Sequence, residues 1–127
     1  IAHVTASALA SENKTLAHPA SIDSLPTSGG QEDHVSMAPW AGNKLFKIQR
    51  NVGSILAIEL IVAGAANSLA SSDMRAGKGT VPTLKILNDY CKFAKGDRPL
   101  SAEIEQITKL ILSGNIQKEV SKSLKLE

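Results

Sequence analysis

An all-α domain, with one long central helix and shorter helices packed against it, is predicted by three observations on this sequence. Aromatic residues make up 3% of a chain that is 43% hydrophobic. Its core must therefore rest on Leu, Ile, Val and Ala, which suit close-packed helices better than sandwiched strands. Leu45, Ile48, Val52, Ile55 and Val62 recur at three-, four- and seven-residue spacings, the period of one helix face. Start and stop residues then divide the remainder into short helical segments. At 127 residues the chain can bury one modest core. It contains no internal repeat and no sign of a second independent domain.

Residues 2–13 are Ala-rich with small polar insertions, so residues 1–13 read as the end of a helix. Over 14–30, Pro19, Pro26, Gly29 and Gly30 combine with Ser and Thr to disfavour regular structure. The result is a loop of unusual length, and long loops in compact domains tend to carry function. His18 precedes Pro19 and is thereby pushed out of the helical region.

The long helix is expected over 31–70, with Pro39 tolerable in its first turn. Lys44, Lys47 and Arg50 mark a partly exposed face, whereas Ile55–Ala66 is apolar nearly all round and predicts full burial. Glu59, inside that run, should be a buried charge whose partner lies outside this chain. Gly64, among Ala63, Ala65 and Ala66, permits close helix approach. Such a helix is longer than a compact domain of this size is wide, which predicts a fragment or an oligomer.

Ser71–Thr80, with Gly77 and Gly79, reads as a linker. Pro82 can open a second helix running to about Lys95, with Gly96 ending it. Ser101 is the expected N-cap of a third helix. Glu103 and Glu105 then stand where carboxylates favour the helix dipole, Ile104, Ile107, Leu110 and Ile111 supply the apolar face, and Gly114 is the stop. Asn115–Glu127 is Lys-rich with Ile116, Val120 and Leu124 at four-residue spacing, an amphipathic helix that frays at its end. The C-terminal helices thus occupy 81–127.

Fourteen Lys+Arg against twelve Asp+Glu give a net charge of +2, without the dense basic cluster that phosphate-backbone binding needs. Nucleic acid is therefore not an expected partner. A lone Cys91 can form no intrachain disulfide and has no companion ligands for a metal, so a reducing compartment, the cytoplasm, is expected. The start, Ile-Ala-His-Val-Thr-Ala, does not read as a signal peptide. Ile55–Ala66 is shorter than the roughly 17 residues that span a bilayer and is interrupted by Glu59, so no membrane partner is expected.

The segment Leu16–Met37, Leu-Ala-His-Pro-Ala-Ser-Ile-Asp-Ser-Leu-Pro-Thr-Ser-Gly-Gly-Gln-Glu-Asp-His-Val-Ser-Met, closely resembles a stretch found in histidine ammonia-lyases, members of the aromatic amino acid lyase and aminomutase family. The resemblance continues through Ala41–Leu60 and reappears weakly at Asp97–Ser101. It matches only the C-terminal part of that family. It implies part of a larger helical-bundle lyase that acts as a homotetramer, with active sites drawn from several subunits. It also implies a methylidene-imidazolone prosthetic group formed from an internal Ala-Ser-Gly. No Ala-Ser-Gly occurs here, and the only tyrosine, Tyr90, lies in an ordinary helix rather than on a catalytic loop. No catalytic residue is therefore assigned within these residues, and the prosthetic group is expected in the parent enzyme only.

What the resemblance does place here is the substrate-binding glutamate, Glu32, which in the histidine enzymes faces the imidazole of the substrate. A carboxylate suits that ring, which offers an N–H donor and can become cationic. Relatives acting on phenylalanine or tyrosine typically carry an amide there. Gln31 is expected to help line the pocket, and Asp33 to tie down the loop through backbone N–H groups. Without the resemblance, Gln31-Glu32-Asp33 would read as two acids at a helix start. His18 and His34 stay outside the site, since neither has a carboxylate partner or metal-ligand spacing. Gly29-Gly30, where the family commonly has a pair such as Ala-Asn, adds backbone freedom expected to loosen the presentation of Glu32.

The implied function is elimination of ammonia from L-histidine to give urocanate, with the fragment alone inactive. Two alternatives stand beside it: a lyase or aminomutase for another aromatic amino acid, and a non-catalytic helical assembly module whose exposed apolar surface drives association.

Overall fold

A computed structural model of the chain describes residues 1–70, 75–93 and 98–124. Five α-helices occur in them: α1 (Ala2–Leu16), α2 (Ala38–Leu69), α3 (Thr80–Tyr90), α4 (Ser101–Leu112) and α5 (Asn115–Ser123). No strand is present among the described residues beyond an isolated bridge between Thr27 and Glu32. The all-α prediction holds, and α2 is the central element, packed by α1 and α4 along its length and by α3 more locally.

The half-buried positions of α1 are Ala2, Ala6, Leu9, Asn13 and Leu16, a four-three alternation that forms one stripe. That stripe packs on α2 and is keyed by Asn51, whose side-chain amide donates to Glu12 Oε2 at 2.8 Å and to Asn13 Oδ1 at 2.9 Å. The helix runs three residues past the 1–13 segment, through Lys14–Leu16.

The buried face of α2 is Gly53, Ala57, Ile58, Ile61 and Gly64. Its two glycines mark where neighbours come closest. A Cβ on Gly53 would sit 3.1 Å from Leu112 of α4, and one on Gly64 would sit 2.6 Å from the Phe93 ring and 3.2 Å from Leu87. The close approach expected at Gly64 is thus real. Ala57, Ile61, Leu87, Cys91 and Ile107 form the core where α2, α3 and α4 meet, with Leu60, Leu84, Phe93 and Ile104 around it. Burial pushes the Cys91 thiol up from its ordinary pKa, with the Glu103 carboxylate adding to the effect against Arg98, so it stays protonated at neutral pH.

Full burial of Ile55–Ala66 is not what this chain provides. Leu56 and Val62 are 42% and 51% exposed, and Glu59 is exposed rather than buried. The physical reason is a shortage of partners: α1, α3 and α4 cover one side of a helix of 32 residues, about 48 Å long, and the opposite side meets water. The total accessible surface is 9467 Å², whereas a self-contained globule of 13.4 kDa exposes about 6500 Å². The excess is surface that a self-contained globule of this mass would bury. Taken by length and composition alone, α2 would also be long and apolar enough to cross a membrane, because the apolar character extends beyond the Ile55–Ala66 run.

Several boundaries move. The long helix starts at Ala38, not at residue 31, with Pro39 in its first turn as expected. α3 stops at Tyr90, because Cys91 turns extended and the Lys92 N–H is given to Glu103 Oε1 at 3.3 Å. Ala94–Asp97, with the predicted end at Lys95 and stop at Gly96, lie outside the described residues, as does most of the first half of the 71–80 linker.

Ser101 is the first helical residue of α4, with Leu100 at the cap position and no side-chain capping bond. The start of α4 is instead fastened by Arg98, whose guanidinium grips Glu103 with two bonds of 3.1 and 2.9 Å. Gly114 ends α4 as expected: it sits at φ 73°, the left-handed conformation glycine adopts without penalty, and it leads directly into α5.

Candidate functional site

The long loop runs from Ala17 to Met37, between α1 and α2, and side-chain bonds rather than helix hold it in shape. Pro19 fixes an extended backbone at φ −60°, ψ 127°. After it a short 3-10 turn, Ala20–Ile22, buries Ala20 against α2. Lys44 Nζ donates to the His18 carbonyl, so the chain entering the loop is tied to the first turns of α2.

Two staples close the loop further on. The Val35 N–H donates to Ser24 Oγ at 2.9 Å, and the Ser24 hydroxyl lies 3.2 Å from the Val35 carbonyl oxygen that accepts from it. Inside that ring, the Thr27 N–H donates to the Glu32 carbonyl at 3.0 Å and the Glu32 N–H to the Thr27 carbonyl at 3.4 Å. The Thr27 hydroxyl reaches the Glu32 carboxylate, 3.0 Å to Oε2. Between the two, Ser28, Gly29 and Gly30 lie at φ 54°, 67° and 90°.

This geometry replaces the expected helix start. Gln31–Met37 cannot be helical while Glu32 pairs with Thr27 and Val35 with Ser24, so Glu32 stands at the end of a tight turn. Gly29 and Gly30 occupy left-handed backbone, where glycine is the unstrained choice. With bonds closing the turn on both sides, they permit the backbone path that brings Glu32 back to Thr27.

Glu32 and Gln31 are neighbours on the exposed rim of this turn, as are Asp33 and His34. The tie expected from Asp33 is made by Ser24 and Thr27 instead, two residues that the sequence reading left unassigned. A signal for them exists: hydroxyl residues flanking Pro26, with Gly-Gly between Thr27 and Glu32, are the ingredients of a side-chain-closed turn.

Tyr90 is the last residue of α3 and half exposed. No group of three His, Cys, Asp or Glu side chains among the described residues could hold a metal ion. Because no Ala-Ser-Gly is present, these residues do not fit formation of a methylidene-imidazolone, and no chemical step is derived through one.

What the turn offers is a carboxylate held by the Thr27 hydroxyl, able to accept from an N–H and to favour a cation. A broad groove of about 1920 Å³ lies elsewhere, between α1, α2 and α4, with Leu9, Phe46, Arg50, Leu100 and Leu112 on its walls. No residue of the 17–37 loop lines it.

Comparison with known proteins bears on the same segment. The family model described as aromatic amino acid lyase matches residues 1–89. A histidine ammonia-lyase of Burkholderia mallei is 62% identical over 85 residues, which is 67% of this chain and 16% of that protein. One from Desulfotalea psychrophila is 46% identical over 128 residues, which is 98% of this chain and 24% of that protein. The crystal structure of histidine ammonia-lyase from Trypanosoma cruzi superposes with a TM-score of 0.88 at 39% identity, covering 98% of this chain and 24% of that one. The chain thus spans a quarter or less of the length of these relatives.

Proposed function

We propose, from the premise that the chain belongs to the aromatic amino acid lyase family, that it forms the C-terminal part of a histidine ammonia-lyase and supplies one wall of its substrate pocket. The parent enzyme would release ammonia from L-histidine and leave urocanate. The observation that carries this reading is the Thr27–Glu32 turn, which fixes the Glu32 carboxylate at the position resembling the family's imidazole-facing glutamate. Identities of 46% and 39% over 98% of the chain, to relatives named for histidine, support the choice of substrate.

Glu32 is assigned to accept from an imidazole N–H, strengthened by charge when the ring is cationic, and Gln31 to line the pocket beside it. The prosthetic electrophile and the base belong to other parts of the parent enzyme. Assembly as a tetramer in the cytoplasm completes the reading. Its supports are the water-exposed apolar side of α2 and the lone buried thiol of Cys91. The apolar character of α2 serves helix packing rather than a bilayer, in keeping with the close approaches at Gly53 and Gly64 and the polar tie at Asn51.

The test follows urocanate absorbance with L-histidine as substrate. The complete enzyme is expected to turn over and the 127-residue chain alone to stay at the buffer rate. Sustained turnover by the chain alone would overturn the assignment of electrophile and base to other parts of the enzyme. A complete enzyme inert toward L-histidine yet active on another aromatic amino acid would overturn the choice of substrate.

A further inference from the structure

We infer that Thr27 is a positioning residue for Glu32, setting the direction of its carboxylate and thereby the affinity for the substrate's imidazole. This inference rests on the reading of Glu32 given above.

A glutamate on an exposed rim has three side-chain torsions free, and fixing them on ligand binding opposes affinity. Here part of that ordering is already done. The Thr27 hydroxyl, 3.0 Å from Oε2, occupies one carboxylate oxygen. Among the described residues no side chain or backbone N–H donates to Oε1, which leaves that oxygen for a ligand. Thr27 is a stiff anchor: it is β-branched, with few χ1 choices, and its backbone is paired with Glu32 in both directions.

The turn between them is itself a committed conformation. Ser28 at φ 54° is a non-glycine residue in left-handed backbone, a strain that persists only where the surroundings enforce it. The Ser24–Val35 staple, at 2.9 and 3.2 Å, supplies that enforcement from outside. Hydroxyl, bridge and turn together present the carboxylate in one direction before substrate arrives.

The experiment compares Thr27→Val, Thr27→Ser, Glu32→Gln and the Thr27→Val/Glu32→Gln double variant in the complete enzyme, by steady-state kinetics on L-histidine. Thr27→Val keeps the shape and removes the donor. It is expected to raise KM about tenfold, the scale of one hydrogen bond to a charged group, with kcat changed by less than about twofold if chemistry is untouched. Thr27→Ser keeps the hydroxyl and should restore KM to near the parent value. In the Glu32→Gln background, Thr27→Val should add little, because its effect passes through the carboxylate.

A parent-like KM in Thr27→Val, while Glu32→Gln is impaired, overturns the positioning role and leaves the Glu32 reading standing. So does an effect of Thr27→Val that is equally large in the Glu32→Gln background, the mark of a purely structural residue. No effect of Glu32→Gln overturns the reading of Glu32 itself. If Thr27→Val fails to fold, Thr27→Ala takes its place with the same three outcomes.

Discussion

Glu32→Gln in the complete enzyme is expected to lower kcat/KM for L-histidine by about a hundredfold. The amide keeps the size of the side chain and one acceptor oxygen but loses the charge. A hydrogen bond to a charged group contributes about 1.5–3 kcal/mol, and the upper part of that range corresponds to a hundredfold. The backbone pair between Thr27 and Glu32 does not involve the side chain, so the turn should keep its shape and the loss should fall on recognition. Steady-state kinetics on L-histidine, L-phenylalanine and L-tyrosine check this. The ratio of specificities should move away from histidine, and an unchanged histidine kcat/KM would sink the assignment.

The second large effect is on stability. Ile107→Ala should destabilise the 127-residue chain by about 2–5 kcal/mol, the range for truncating a large aliphatic in a core that cannot collapse around the gap. Ile107 is 0% exposed and sits among Ala57, Ile61, Leu87 and Cys91, where α4 meets α2 and α3. For a domain of this length that corresponds to a fall in thermal midpoint on the order of 10 °C. Circular dichroism at matched protein concentration reads it, since association would otherwise shift the midpoint. Leu69→Ala, at a side chain 86% exposed, should move the midpoint little. A fall of under about 2 °C for Ile107→Ala would contradict the core described here.

How much of this was legible in the sequence varies with how local the cause is. The central helix announces itself through Leu45, Ile48, Val52, Ile55 and Val62, because a 3.6-residue period is a local property. Gly114 and Pro39 are equally readable, since each acts on its own backbone. The start of α2 is not. Nothing within Gln31–Met37 forbids a helix; Thr27 and Ser24, five and eleven residues before their partners, take the chain elsewhere.

The end of α3 is set in the same way by Glu103, which receives the Lys92 N–H from across the fold. Glu59 teaches a related point about burial. An apolar surround in sequence predicts that a helix wants covering, but only the neighbours present decide which of its sides is covered. For the candidate site, residues and chemistry came from the family resemblance. The geometry that gives Glu32 a direction came from pairings across the turn, which no single-residue signal encodes.

The uncovered side of α2 also sets a calorimetric signature. Unfolding raises heat capacity mainly by wetting apolar groups, at about 12–15 cal/mol/K per residue in self-contained domains. Leu56 and Val62 are already partly wet before unfolding begins, so the increment for the lone chain falls below that figure, and its urea dependence is correspondingly shallow. Its stability curve is therefore flat in temperature. In the proposed assembly the missing heat-capacity change would appear on association, where covering α2 would make ΔCp negative. Temperature would then act on this chain chiefly through how tightly the proposed assembly holds it.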